Sequence, residues 1–380
     1  MSDVVIDREF AGGNIVVEKM EGDTVQLRQE RGECSEWWFY WQFRIRGCAG
    51  RRMRFVFSDG DVFTAMGPAM SVDGRAWGWL GRERVERFGE AWGFEHEFGE
   101  VDEAYVCLSV PYVQRNLDTF LAEHPAIERS ILCRSEEGRE VELLTLAGKS
   151  GRYFVPRTAR THACEAMANF VIEGIFEHAL SDEATGIFLR EHVDLRAVPF
   201  VDKDGVEKGE QGKVRRPHDH NRDWTHRPIY ARVRAIQEAV FGWRGEGVVS
   251  VDVHCPWIRN GQNETNVFVG SSAPMDVELR KLTDLLAATQ TGELKFSAKS
   301  TFPFGKEWNS GNGPTCGRFM RENVVKELGA TLEVSYGLAG GKVVTAEGAR
   351  GLGRDVGRAL ALYIMEWEKR KERKELPRSF

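Results

Sequence analysis

Short runs in which apolar and polar residues alternate fill roughly the first 110 residues of the chain. They occur at 14–18, 24–27, 53–57 and 105–108, and glycine-containing turn signals separate them. Alternation with a period of two predicts β-strands with one buried face. Many short strands at this spacing predict an all-β sandwich.

The most aromatic stretch of the chain, residues 36–43, lies within this β-rich part. One interpretation is a sugar-binding platform of flat rings. A central strand with both faces covered explains the same pattern, and we favour it.

The pattern changes after residue 110. Helical spacing of apolar residues at 116–121 and 166–176 alternates with strand-like apolar runs at 141–147 and 193–200. Strands that alternate with helices predict an α/β domain. We therefore expect a mixed open sheet flanked by helices, preceded by the all-β sandwich.

A chain of 380 residues is too long for one ordinary core and suits about two domains. We predict a sandwich domain at 1–110 and an α/β domain at 111–380. The last helix is expected from Gly353 to about Glu372, with an apolar stripe at helical spacing. That stripe comprises Val356, Leu360, Ile364 and Trp367.

Composition narrows the class of protein. The formal net charge of −6 gives no reason to expect a nucleic-acid partner, and no apolar run approaches the ~20 residues needed to span a bilayer. The first residues lack the basic start and apolar run of a signal peptide. Seven scattered cysteines without a CxxC pair suit free thiols, so we expect a cytoplasmic protein.

Candidate metal ligands come from two places in the α/β part. His162 and Glu165 are three residues apart, and an imidazole with a carboxylate can share one metal ion. An alternative interpretation is one solvated helix face. His254 ends an apolar strand and would be a third ligand. Cys164 and Cys255 lie beside these positions, and we interpret them as packing residues rather than thiolate ligands.

Two further segments carry candidate chemistry. The loop 215–224 concentrates arginines and an asparagine, a combination that can hold a carboxylate or form a solvated surface loop. The strand-like run 330–337 places Glu333 among apolar residues, where burial would raise its pKa and suit a general base or acid.

Taken in order, these pieces resemble the zinc carboxypeptidase family, and more closely its cytosolic carboxypeptidase branch. The matching segments are 162–165, 204–206, 219–222, 252–254 and 332–333. The aromatic N-terminal part resembles the extra domain of that branch.

The resemblance implies roles for individual residues. His162, Glu165 and His254 would hold one zinc ion, with Asp219 orienting the first histidine. Glu333 would act as the base toward zinc-activated water. Arg215 would polarise the scissile carbonyl, with Arg216 as the competing choice. Asn221 and Arg222 would grip the terminal carboxylate, and Arg318 would meet the side chain of the released residue.

One departure concerns a tyrosine that the family often places over the substrate. The segment 307–314 contains no tyrosine, although Trp308 offers an aromatic ring there. We therefore expect a zinc metallopeptidase that removes C-terminal residues from peptides or protein tails, acidic (Glu/Asp) tails included. Two alternatives stay open, a zinc deacylase of small N-acyl amino acids and a catalytically degenerate peptide-binding module. The physiological substrate and the oligomeric state are left open.

Overall fold

The computed structural model describes residues 3–32, 34, 36–259, 262–270, 272, 275–306, 309 and 313–375. Two five-stranded sheets come from the first 107 residues, and a nine-stranded mixed sheet comes from the rest. This arrangement confirms the predicted fold class.

The two N-terminal sheets have the strand orders β1-β4-β10-β6-β7 and β2-β3-β5-β9-β8. Their strands are β1 (Val5–Asp7), β2 (Val16–Glu21), β3 (Thr24–Arg28), β4 (Gln42–Arg46), β5 (Arg52–Phe57), β6 (Ala69–Ser71), β7 (Gly78–Trp79), β8 (Val85–Phe88), β9 (Ala91–Glu97) and β10 (Glu103–Cys107). Aromatic rings from β4 and from Trp41, the residue before it, pack against aromatic rings of β5. The ring centroids of Trp41 and Phe57 are 4.8 Å apart. The two sheets therefore pack face to face around an aromatic core.

The aromatic run 36–43 departs from the strand that its pattern predicts. Regular pairing begins only at Gln42, although every residue from Trp38 onward in the run is buried. The backbone N–H groups of Phe39 and Tyr40 donate to Oε1 of Gln211, at 2.7 and 3.3 Å. A side chain from the later part of the chain thus replaces a neighbouring strand as their partner.

The nine-stranded sheet has the order β11-β12-β14-β13-β16-β19-β17-β18, with β15 beside β13. Its four central strands, β14, β13, β16 and β19, are parallel. The strands are β11 (Glu128–Arg134), β12 (Glu140–Leu146), β13 (Tyr153–Ala159), β14 (Val193–Val198), β15 (Glu246–Gly247), β16 (Val249–His254), β17 (Val267–Val269), β18 (Thr301–Phe302) and β19 (Leu328–Glu333). A short ribbon of β20 (Leu338–Ala339) and β21 (Lys342–Val343) follows.

Helices cover both faces of this sheet. They are α1 (Gln114–Glu123), α2 (Met167–Leu180), α3 (Ala184–His192), α4 (Lys203–Lys208), α5 (Ala231–Gly242), α6 (Met275–Thr289), α7 (Cys316–Asn323) and α8 (Ala346–Glu375). The helices α2, α6 and α8 belong to the main hydrophobic core, while α5 and α7 pack in a second cluster with β12 and β14. Among the described residues, no helix has both the length and the apolar character needed to cross a membrane.

The last helix begins at Ala346, seven residues before the predicted start at Gly353. Gly348 and Gly351 weaken the helical signal of this first part, because glycine is a poor helix former. Thr345 begins the helix by accepting a hydrogen bond from the Gly348 N–H at 2.9 Å. The predicted apolar stripe is buried, which confirms its place in the core.

Buried side chains from both parts of the chain belong to one continuous hydrophobic cluster. Phe39 and Tyr336 join it across the two parts, with ring centroids 6.0 Å apart. The predicted domain boundary near residue 110 stays a prediction.

Candidate metal centre and substrate cavity

Three parallel strands bring the candidate residues to one edge of the sheet. The Cα atoms of His254 on β16 and Glu333 on β19 are paired in register, and Val253 pairs with Ala159 at the end of β13. His162 follows β13 by three residues. Ligand sites of open α/β sheets lie at the carboxyl ends of such strands.

The turn between β13 and α2 has an unusual backbone conformation, and buried contacts stabilise it. Arg160 has a positive φ of 56°, and its buried guanidinium donates to the carbonyls of Ala163 and Tyr112, both at 2.7 Å. A Cβ added to Gly212 would lie 2.4 Å from the Ala163 nitrogen. The loop that contains Gly212 can therefore lie against this turn only because glycine has no Cβ.

The helix α2 begins at Met167, so His162 and Glu165 lie on the turn and not on one helix face. Candidate ligand atoms of His162, Glu165 and His254 all lie within 4.8 Å of one another. Nδ1 of His162 is 2.9 Å from one carboxylate oxygen of Glu165, and Nδ1 of His254 is 2.8 Å from the other. The three residues form a cluster that can hold one metal ion.

A second carboxylate lies near Nε2 of each histidine of the cluster. Nε2 of His162 is 3.5 Å from Asp219, and Nε2 of His254 is 2.7 Å from Asp252. Thr158 in turn donates to Asp252 at 2.6 Å. A carboxylate at Nε2 favours the proton there and leaves the Nδ1 lone pair for a metal.

Asp252 belongs to the segment 252–254 that carries the family resemblance, but no role was predicted for it, although the sequence contains a signal. Residues two apart in a strand lie on the same face, so Asp252 and His254 in β16 were bound to be neighbours.

The charges around the cluster keep Glu165 ionised. Burial alone would raise the pKa of Glu165, but the positive charges of Lys213, His162 and His254 hold it well below its ordinary value. The Lys213 ammonium contacts the Glu165 carboxylate and donates to the Cys255 carbonyl at 2.9 Å. Lys213 is itself buried, and no pattern in the sequence distinguishes it from the nearby arginines.

Arg215 lies away from the cluster. Its guanidinium forms ion pairs with Asp202, at 3.1 Å, and with Glu210. Arg216 is exposed. Lys213, a basic residue of the same loop, lines the cavity beside the cluster. Arg215 is not among the described residues that line this cavity, so its position gives no support to its predicted role at the scissile carbonyl.

A cavity of about 560 Å³ opens beside the cluster. Its lining includes His162, His254 and Glu333, together with the predicted substrate residues Asn221, Arg222 and Arg318. The structure therefore brings every predicted site residue except Arg215 to the cluster or to its cavity.

The substrate residues are held by α7 and the segment before it. Oδ1 of Asn221 accepts the Cys316 N–H at 3.1 Å, at the start of α7. Arg318 on this helix lies 5.9 Å from the centre of the Phe304 ring, and Nη1 is 3.5 Å from the Gly313 carbonyl. An added Cβ on Gly313 would lie 3.5 Å from Arg222, so both arginines meet at this residue.

Glu333 differs from the other carboxylates of the site. Its Oε2 is buried and has no hydrogen-bond partner within the described part of the chain. Burial is the main cause that raises the pKa of Glu333 above its ordinary value. A buried acceptor without a partner is unusual in a folded protein and suits a group that acts on a substrate or a water molecule.

The two cysteines beside the cluster are buried thiols. Burial raises the pKa of Cys164 to about 12 and that of Cys255 well above its ordinary value. Cys164 also lies 3.3 Å from the Tyr336 hydroxyl. These surroundings suit packing residues. Trp308, the aromatic candidate for covering the substrate, lies outside the described residues.

Comparison with known proteins places these features in context. No family model matches the chain. The chain is 25% identical over 189 residues to cytosolic carboxypeptidase 6 of Caenorhabditis elegans, covering 45% of this chain and 41% of that protein. It is 28% identical over 224 residues to cytosolic carboxypeptidase 2 of Danio rerio, covering 49% and 31%. The matched segments thus span less than half of these relatives.

A solved structure extends the similarity over nearly the whole fold. The metallo-carboxypeptidase from Pseudomonas aeruginosa, in complex with (2-guanidinoethylmercapto)succinic acid, superposes with a TM-score of 0.81. The match covers 95% of this chain and 99% of that one, at 19% identity. The chain therefore has the metallocarboxypeptidase fold, and part of its sequence is similar to cytosolic carboxypeptidases.

Proposed function

We propose that the protein is a zinc-dependent metallocarboxypeptidase that hydrolyses the C-terminal residue of peptides or protein tails. The observation that carries the proposal is the convergence of His162, Glu165 and His254 beside Glu333 in one cavity. The names of the sequence relatives and of the structural neighbour support the same class. A complete set of candidate groups argues against a degenerate binding module.

Zinc fits the donor set. Two imidazoles and one carboxylate are ligands typical of catalytic zinc, and three protein ligands leave one position open. The carboxylates that contact Nε2 of both rings orient Nδ1 toward the cluster, and the low pKa of Glu165 keeps that ligand ionised, as metal binding requires. Bound zinc lowers the pKa of a water ligand to about 7 and polarises a carbonyl oxygen.

Two residues of the chain would act on the scissile bond. Glu333 would accept a proton from the attacking water, and its raised pKa makes it a stronger base than an exposed carboxylate. Lys213 brings a positive charge to the cavity wall and would stabilise negative charge on the carbonyl oxygen. In this proposal Lys213 takes the role that the family resemblance implied for Arg215.

The other end of the cavity would hold the terminal carboxylate. Asn221 and Arg222 line it, and the planar guanidinium fork can grip a carboxylate at two points. Arg318 lies beside them and would face the side chain of the departing residue. We propose that this arrangement favours a C-terminal Glu or Asp.

Two finer statements complete the proposal. We propose that residues 1–110 form a sandwich domain that precedes the catalytic domain at 111–380. We also propose a cytoplasmic location, which is supported by seven cysteines that are all free thiols.

Metal content and peptide cleavage, measured on three proteins, test the proposed function. Wild type should carry about one zinc per chain and shorten peptides by one C-terminal residue. His162→Ala should lose most of the zinc, because one of three ligands is gone. Glu333→Gln should keep zinc and fold but lose turnover by orders of magnitude, because only the proton acceptor is removed.

The contrary outcomes separate the alternatives. Wild type without zinc, and without activity after zinc is added back, contradicts the proposal. Turnover of N-acyl amino acids but not of peptides would favour a deacylase. Near wild-type turnover in Glu333→Gln would make this residue structural and would require another base.

A further inference from the structure

One part of the cavity wall, formed by Trp257 and Arg259, is built jointly with the N-terminal part of the chain. Trp257 lines the cavity, and its ring stacks on Trp37, with centroids 6.0 Å apart and an interplanar angle of 17°. Arg259 lies 5.8 Å from the centre of the Trp37 ring and also lines the cavity. This wall therefore depends on residues from both parts of the chain.

Asp61 of the N-terminal part holds Arg259 in place. Nη2 of Arg259 lies 2.6 Å from Oδ1 of Asp61 and also contacts the Asp61 carbonyl. Arg82 binds the same carboxylate, at 3.0 Å from Oδ1 and 2.5 Å from Oδ2. One carboxylate thus faces two guanidinium groups, so its single negative charge cannot neutralise both of them.

Two groups of cations line the same cavity as the metal cluster, Arg222 with Arg318 and Lys213 with Arg259. Arg222 and Arg318 meet at Gly313 and would take the departing residue. Lys213 connects the cluster to Trp257, because its ammonium contacts Glu165 and lies 5.9 Å from the centre of the Trp257 ring. A peptide whose last residue lies at Arg222 and Arg318 would extend past the cluster toward Trp257 and Arg259.

On the basis of the proposed function, we propose that Arg259 is a specificity-determining residue for an acidic side chain upstream of the departing residue. Asp61 acts as the positioning residue that sets its guanidinium against Trp37. The recognised side chain belongs to one of the two residues that precede the departing one. The Arg259 side chain is 43% exposed, so a modest selectivity of roughly twofold to fivefold is expected.

Peptides that all end in Glu, with Glu or Gln at each of the two preceding positions, test this inference. Wild type should cleave the Glu form faster, in kcat/KM, at one of these positions. Arg259→Gln should reduce that ratio to about one, while Arg259→Lys should keep part of it because the charge remains. High salt should weaken the preference in wild type, since a partly exposed ion pair is screened.

Arg82→Gln is the matched control. Arg82 binds the same Asp61, yet it is not among the described residues that line the cavity, so this variant should keep the upstream preference. Asp61→Asn should reduce the preference without abolishing cleavage.

The outcomes separate this inference from the proposed function. A protein that cleaves these peptides without an upstream preference, or whose preference survives Arg259→Gln, overturns this inference alone. A protein that removes no C-terminal residue from any peptide overturns the proposed function and this inference with it.

Discussion

Basic residues of one loop take different roles according to the partner that each meets. Lys213 turns into the cavity and contacts Glu165, while Arg215 turns away to Asp202 and Glu210. Both side chains carry a positive charge, and their positions in the sequence differ by two residues. Only the acidic groups that surround them decide which one lies beside the reacting centre.

At the residue scale, Arg318 should set a preference for acidic C-terminal residues. A charge-assisted pair with Glu, largely shielded from water, could contribute ~1.5–3 kcal/mol, or roughly tenfold to a hundredfold in selectivity. A C-terminal Lys should be rejected, because it would place like charges together. Cleavage rates of matched peptides ending in Glu, Gln, Leu and Lys, on wild type and on Arg318→Ala, check this prediction.

Arg321→Ala supplies the control for that comparison. Arg321 lies on the same helix and contacts Glu322, but it is not among the described residues that line the cavity. A wild type that prefers Leu, or an Arg318→Ala variant with an unchanged Glu-to-Gln ratio, would remove Arg318 from substrate recognition.

At the element scale, α2 and α8 pack with their backbones in close approach. A Cβ added to Gly353 would lie 2.2 Å from the Val171 carbonyl oxygen, and one added to Gly174 would lie 2.0 Å from that of Arg350. Glycine is therefore required where the helices cross, even though it weakens α8 as an isolated helix. This crossing supports α2, which follows the metal-binding turn directly.

We expect Gly353→Ala to destabilise the protein by ~1–3 kcal/mol or more, because the new methyl group meets backbone that must move. Gly351→Ala on the same helix is the control. Its nearest neighbour to an added Cβ is 3.6 Å away, so it should be neutral or stabilising by up to about 1 kcal/mol. Urea unfolding of the two variants measures the difference, and equal effects would contradict the crossing described here.

On the scale of the whole molecule, the N-terminal sheets and the α/β part share buried contacts. Gln211, which is fully buried, accepts two N–H groups of the aromatic run, and Asn14 donates to the Gly209 carbonyl at 2.7 Å. Both contacts reach the loop whose Gly212 packs against the metal-binding turn. The two parts are therefore expected to unfold together.

A single calorimetric transition is the expected result for wild type, and Gln211→Ala should lower the temperature of that whole transition. The substitution leaves two buried N–H groups without their acceptor, each at a cost of about 1–3 kcal/mol. Gln26→Ala, at an exposed position of β3, is the control and should change little. Two separate transitions, with only the first shifted by Gln211→Ala, would show that the parts fold independently.

The sequence by itself determined the fold class, because hydrophobic periodicity depends on local geometry that every strand and helix must satisfy. It also brought His162, Glu165, His254 and Glu333 to attention, since strand-end polar residues are visible as breaks in apolar runs. Roles that depend on contacts between distant segments were decided only by the tertiary structure. Lys213 beside Glu165 and Arg259 on Asp61 are such cases, because the partner that orients each cation lies 48 and 198 residues away along the chain.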